Sequence, residues 1–374
     1  MKFEVKQMFN RVAPSILVSG CLVRTWLDKA VECKEEVLAL ESTIGNTPLL
    51  YLKSVSEATG CDIYGKAEFL NPTGSVKDRA AKQIILEAER SGRLKKGGTI
   101  VEGTGGNTGV ALAALGAAKG YNVKICMPHF IGKEKQNLTK LYGAEVFLCP
   151  GVPFSDSRNY AKKAESLGNA PNTIFTNQFE NYANYRAHYG STGPEIWNQT
   201  NRMVDAFVCA AGTGGTIAGI SSYLKEVSNE TVKCFIIDPT GSSLYKHVNE
   251  GLLRGSEGST EIEGIGIGRL TNNFKMSVLD GAIQGSDQEA TDMMYYLLQK
   301  EGLYLGPSAA LNVVGAIKIA KKLGPGHQIV TILCDGGERY TSKFYDDTWL
   351  ADQHLSKPSK WAVNTDEVIK RLLA

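Results

Sequence analysis

"TIVEGTGGNTGVALAALGAAKG", Thr99 to Gly120, passes from a β-rich apolar run through a glycine-bearing turn into an alanine-rich helical pattern. The same unit recurs along the chain. "YNVKICMP" leads into "KEKQNLTKLYGA" and "EVFLCP" into "SDSRNYAKKAESLG"; "DAFVCAAGTGGTIAGISSYLKEV", "VKCFIIDP" and "QIVTILCDGGERY" follow. Apolar runs alternating with helices imply parallel sheets covered by helices on both faces. The expectation is an α/β fold of two three-layer αβα domains with mainly parallel sheets and the active site in the cleft between them. The alternation breaks at a polar and aromatic segment beginning at Gln178. The division expected is therefore an N-terminal arm over 1–40, an N-terminal domain over 41–181, a C-terminal domain over 182–345 and a tail over 346–374.

Composition narrows the function. With 374 residues, 43% of them hydrophobic, the chain can bury a full core. The 41 basic and 39 acidic side chains leave a net charge of +2, without a basic stripe interleaved with aromatics, so no nucleic-acid partner is expected. Eight scattered cysteines without a CxxC read as reduced, intracellular thiols. The histidines (His129, His188, His247, His327 and His354) lack metal-ligand spacing, so no metal is expected. The apolar run Ala13 to Val23 is shorter than the ~20 residues of a membrane span. Its basic flanks leave a cytoplasmic location as the main reading and a mitochondrial one as the alternative.

Two glycine loops and one lysine carry the chemistry. In "AAGTGGTIAG", Gly212, Thr213, Gly214, Gly215 and Thr216 join a strand to a helix, where converging backbone N–H groups and the helix N-terminus suit a phosphate. The loop lacks the lysine and spacing of a nucleotide triphosphate site. In "EGTGGNTG", Thr104, Gly105, Gly106, Asn107 and Thr108 offer hydroxyls, an amide and free N–H groups at another helix start, which suit a carboxylate. "NPTGSVKDR" then supplies Lys77. Taken singly, each loop also has a plainer reading as a tight turn, and Lys77 one as a solvated lysine paired with Asp78. Taken together, a lysine between a phosphate cradle and a carboxylate cradle is what a Schiff base with pyridoxal 5′-phosphate requires. Asp78 and Arg79 read as structural.

The strings "IGNTPLLYL", "NPTGSVKDR", "EGTGGNTG", "NQFEN", "TGPEIW", "GTGGT", "EGIGIG" and "GGERY" fall in order over about four-fifths of the chain and strongly resemble the cysteine synthase (O-acetylserine sulfhydrylase) and cystathionine β-synthase family, pyridoxal-phosphate enzymes of fold type II. The resemblance implies that Lys77 is the Schiff-base lysine and the proton carrier at Cα. It implies that Asn107 partners the cofactor's ring oxygen, that Gly212 to Thr216 cradle its phosphate, and that Ser308 faces its ring nitrogen. It places Thr104, Gly105, Gly106, Thr108, Gln178 and Gly264 around the substrate. The implied activity is β-replacement of an activated serine, O-acetyl-L-serine or similar, by sulfide to give L-cysteine through an aminoacrylate intermediate. The alternatives are a cysteine desulfhydrase and a non-catalytic cofactor-binding sensor. A homodimer is implied. With no histidine before His129, a haem site of the cystathionine β-synthase kind lacks its histidine ligand, so no haem is expected.

Three positions depart from the family pattern. Gly105 stands where the substrate loop usually carries serine. Pro307, Ala309 and Ala310 surround Ser308. Ile267, Gly268, Arg269 and Leu270 follow "EGIG" where an aromatic residue and proline are usual. Arg269 has two readings, a contact to an anionic leaving group or second substrate and a structural or rim arginine.

Overall fold

The computed structural model describes residues 39–152, 154–358 and 365–374, so the N-terminal arm up to residue 38, with the run Ala13 to Val23, Cys21 and Cys33, lies outside the described residues. Among the described residues ten strands form two sheets: β1 (Leu49–Tyr51), β2 (Asp62–Ala67), β3 (Thr99–Gly103), β4 (Asn122–Pro128), β5 (Glu145–Cys149), β6 (Thr173–Phe175), β7 (Ala206–Cys209), β8 (Lys233–Pro239), β9 (Gly281–Gly285) and β10 (Gln328–Leu333). One sheet has the order β5-β4-β3-β6 and is wholly parallel. The other has the order β1-β2-β10-β7-β8-β9 and is parallel except for the edge pair of β1 and β2.

Both sheets are covered on both faces. Because side chains alternate along a strand, Val208, Ile237 and Leu333 join one apolar cluster with the helix Pro307–Leu323, while Phe207, Ile236 and Ile332 join another with the helix Gly215–Val227. In the smaller sheet Ile100, Ile125 and Ile174 face one cluster, and Val101 and Cys126 the other. This is the mainly parallel α/β architecture expected.

The division at 181/182 does not follow the sheets. β2 pairs in parallel with β10 along its whole length, from Asp62 opposite Gln328 to Ala67 opposite Leu333, so β1 and β2 complete the sheet that the C-terminal half builds. A parallel ladder needs no closeness in sequence, and local patterning carries no trace of it. The segment after Gln178 also differs from a simple break. It is helical: Ala183–Ala187 runs through a π-helical turn, His188–Thr192, into the helix Gly193–Gln199, burying Asn184, His188 and Thr192.

Strand order fixes where the site must be. In an open parallel sheet ligands bind beyond the carboxyl ends of strands where the order reverses. In the smaller sheet the reversal lies between β3 and β6, whose ends carry Thr104–Thr108 and Gln178. In the larger it lies between β7 and β10, whose ends carry Gly212–Thr216 and the "CDGGERY" segment.

Candidate active site

A cavity of about 860 Å³ lies where those loops meet. Lys77, Thr104 to Thr108, Gln178, Gly212 to Gly214, Thr216, Gly264 and Ser308 all line it, which brings together every expected site residue except Gly215. Gly215 stands behind the wall, where a Cβ would collide with the Asn184 amide 2.1 Å away.

Lys77 opens the helix Lys77–Arg90 and is half-buried. Among the described residues its amine has no ion-pair or hydrogen-bond partner; its backbone N–H donates to the Ser75 hydroxyl at 3.3 Å. Its surroundings explain this. Burial pushes the Cys334 thiol up to about 12 and the Cys209 thiol up as well, outweighing the nearby Lys77 charge in both cases. Burial drives His188 well below its usual range, helped by Arg79 and Lys77. Two neutral thiols and a neutral imidazole offer no anion to hold the amine. Asp78, paired with Lys77 in the plainer reading, instead accepts from the Thr73 backbone N–H at 2.7 Å and from the Thr73 hydroxyl.

The Gly212–Thr216 loop is compact because backbone meets backbone. A Cβ on Gly212 would lie 2.0 Å from the Gly264 carbonyl oxygen, and Gly214 has φ +86° with the Phe274 backbone 2.6 Å from where its Cβ would be. The loop feeds the N-terminus of a 13-residue helix, an anion-favouring geometry. Its hydroxyls are oriented from behind: Asn184 donates to Thr213 Oγ1 at 2.9 Å, and Thr216 Oγ1 lies 3.2 Å from His188 Nε2, whose ring reaches Thr192 through Nδ1.

On the facing loop, Thr108 donates to Gln178 Oε1 at 2.6 Å, which leaves the Gln178 amide hydrogens for the cavity. The Asn107 amide donates to Asp335 at 2.7 Å and accepts from Arg339, so one N–H remains free. Tyr340 also donates to Asp335, at 2.7 Å. Asp335, Arg339 and Tyr340 were not singled out from sequence. Their signal was the polar run directly after the apolar strand "QIVTIL", at a carboxyl end that faces a crevice. Ser308, in the first turn of its helix, lies against the Cys334 thiol.

The departures acquire physical causes. A Cβ on Gly105 would stand 2.7 Å from Ile131 Cδ1, so the isoleucine fills the space that a serine would need. Gly105→Ser is expected to cost about 1–3 kcal/mol by overpacking, and less than about half of that in an Ile131→Val background, where Cδ1 is gone. Urea unfolding of the two singles and the double checks the cycle; strict additivity would refute the contact. Arg269 lines the cavity but is charge-compensated. It pairs with Glu180, and its guanidinium lies 4.8 Å and 5.2 Å from the Phe154 and Phe179 ring centroids. Of the two readings, these contacts favour the rim arginine.

A mainly parallel α/β fold with an unpaired lysine between two glycine loops is that of a fold type II pyridoxal-phosphate enzyme. A family model described as pyridoxal-phosphate dependent enzyme matches residues 40–335, and the chain belongs to this family, within its cysteine synthase and cystathionine β-synthase branch. It is 50% identical over 324 residues to a cysteine synthase of Dictyostelium discoideum, covering 84% of this chain and 85% of that one. It is equally 50% identical over 323 residues to cysteine synthase 1 of Neurospora crassa, covering 84% and 85%. Among solved structures it resembles the O-acetylserine dependent cystathionine beta-synthase of Helicobacter pylori, with a TM-score of 0.74 and 34% identity over 82% of this chain and 98% of that one. The cofactor is pyridoxal 5′-phosphate, and the cavity suits it: a glycine loop packed so closely on Gly264, Phe274 and Asn184 that no side chain fits at Gly212, Gly214 or Gly215, an amine without a partner among the described residues, and a neutral hydroxyl at Ser308. Among the described residues no helix is long and apolar enough to cross a membrane, and no cluster of potential metal ligands occurs.

Proposed function

We propose that the protein replaces the β-substituent of O-acetyl-L-serine by sulfide to form L-cysteine. The observation that carries this reading is the unpaired Lys77 amine between the two loops, in a chain half identical to proteins named cysteine synthase. Bound pyridoxal phosphate supplies the electron sink that makes the substrate's Cα proton acidic. The chain's residues do the rest. Gly212 to Thr216 would hold the phosphate, Asn107 would give its spare N–H to the ring oxygen, and Ser308 would face the ring nitrogen with a hydroxyl that carries no charge. Gln178, Thr108, Thr104 and the N–H groups of Gly105 and Gly106 take the substrate carboxylate. Lys77 accepts the Cα proton, the Cβ–O bond breaks with departure of acetate, a Cβ–S bond forms to hydrosulfide, and Lys77 returns the proton to Cα. Gly264, packed on Gly212, shapes the wall beside the substrate.

A second nucleophile is supported by a separate feature. Lys135, 2% exposed, and Lys343 share the single carboxylate of Glu263, one oxygen to each, while the other acid lining that wall, Glu261, is exposed. The excess positive charge suits a thiol that carries its own carboxylate, in keeping with the likeness to the Helicobacter pylori cystathionine beta-synthase. Steady-state turnover of purified holoenzyme with O-acetylserine plus sulfide is expected to exceed sulfide release from cysteine alone by at least about tenfold in kcat/KM, a difference of ~1.4 kcal/mol. Sulfide release without synthesis would assign the desulfhydrase instead, and a cofactor spectrum unmoved by any β-substituted alanine would assign the sensor. A homodimer and a cytoplasmic location, with a mitochondrial one as the alternative, complete the reading.

A further inference from the structure

Glu102 lies in β3, directly ahead of the Thr104–Thr108 loop, and is 1% exposed. One of its carboxylate oxygens accepts from the Gly103 N–H at 2.8 Å. The other accepts from the Gln178 N–H at 3.0 Å and from the Thr176 hydroxyl. Among the described residues no cation pairs with it. The titratable groups that face it are Tyr160, on the helix Tyr160–Leu167, and Cys126, on β4; burial raises both, so both are neutral near pH 7. A buried carboxylate with donors but no cation is held between two protonation states. Burial pushes Glu102 up to about 7 against the pull of those three donors.

The network is complete in either state. The Thr176 hydroxyl has a second acceptor, the Val101 carbonyl at 3.1 Å. With Glu102 ionised, Thr176 donates to it. With Glu102 protonated, the carboxyl donates to Thr176 Oγ1 and Thr176 turns its hydrogen to Val101. The bonds from Gly103 and Gln178 persist, because each carboxyl oxygen keeps a lone pair. Protonation therefore costs no hydrogen bond, and only charge decides it.

Gln178 connects this pair to the cavity. Glu102 holds its backbone N–H, and its side chain accepts from Thr108. A substrate carboxylate docking above adds a second negative charge, and two carboxylates sharing a site raise the proton affinity of one of them. We propose that the Glu102–Thr176 pair takes up a proton from solvent when the carboxylate of the amino-acid substrate docks on the Thr104–Thr108 loop. One proton moves from water to Glu102, and no other bond changes. The inference rests on the carboxylate site proposed above but not on the reaction that follows.

The test uses propionate, a carboxylate with no amine to react at the cofactor, titrated calorimetrically into the holoenzyme in two buffers of different ionisation enthalpy. At about pH 8 the wild type is expected to absorb a substantial fraction of a proton per propionate, and its Kd to weaken by up to about tenfold per pH unit above about 7. Glu102→Gln is expected to change by less than about twofold over the same range. Should that variant fail to fold, the wild type alone decides, through a protonated-carboxyl infrared band that grows on adding propionate. Parallel slopes in the two proteins, no growth of that band, or no binding of propionate at any pH would each overturn the proposal. An enzyme that shows proton uptake but no turnover of O-acetylserine would sink the proposed reaction and leave this inference standing.

Discussion

Lys77→Ala is expected to lose at least about 10³-fold in turnover, because one amine both links the cofactor to the chain and carries the Cα proton. Borohydride reduction of the wild-type holoenzyme should fix the cofactor's mass to the peptide that contains Lys77. In the variant no peptide should carry it. The stability of the cofactor-free protein should move by less than about 0.5 kcal/mol, since the amine is half-buried and, among the described residues, has no protein partner to lose. This combination separates a catalytic lysine from a structural one. Reductive labelling of a different lysine, or activity within tenfold of wild type, would refute the assignment.

That lysine was legible in the sequence only through its company. The strand-turn-helix units at Thr99 to Gly120 and at the "GTGGT" loop are written in consecutive residues, so both cradles could be read directly. Their convergence depends on two reversals of strand order that no local pattern encodes. β1 and β6 have three residues each, too few for a periodicity to register. β2 belongs with β10, whose first residue follows its own by more than two hundred and sixty positions. The supporting charges were hidden for another reason: Arg79 reads as structural, but its partners Glu68 and Glu195, and Lys66 beside them, look like surface residues until the fold brings the four together. Glu102 did leave a signal, an acid inside the apolar run "TIVEG", and a buried acid at a strand end beside a ligand loop is where a perturbed carboxyl would be sought.

The hidden charges should have the largest effect on stability. Arg79 is 2% exposed and forks twice. Nε and Nη2 donate to the two oxygens of Glu68, both at 2.7 Å, and Nη1 and Nη2 to the two oxygens of Glu195, both at 2.7 Å. Lys66 completes the group, 2.6 Å from Glu195. Arg79→Ala leaves two carboxylates to one lysine, with Glu68 fully buried. Breaking such a group costs about 3–5 kcal/mol, against a total stability of about 5–15 kcal/mol for an ordinary domain. Arg79→Lys should recover little, because an ammonium cannot form both forks.

Acid unfolding supplies an independent readout. Burial raises the Glu195 carboxyl, but Arg79 and Lys66 outweigh it and hold it at about 2. A carboxyl depressed on folding stabilises the protein above its unfolded value, near 4.5, and that stability is lost as pH falls from about 4.5 toward 2. Removing Arg79 takes away one of the two cations responsible, so the variant should show a lower urea midpoint at neutral pH and a shallower loss of stability on acidification. Because Arg79 lies two residues past Lys77 on the same helix and ties it to the helix Gly193–Gln199, the folded fraction of the variant should also bind the cofactor less tightly. A loss under about 1 kcal/mol with an unchanged acid slope would mean that the four charges are independent surface pairs, each worth the ~0–1 kcal/mol of an exposed salt bridge.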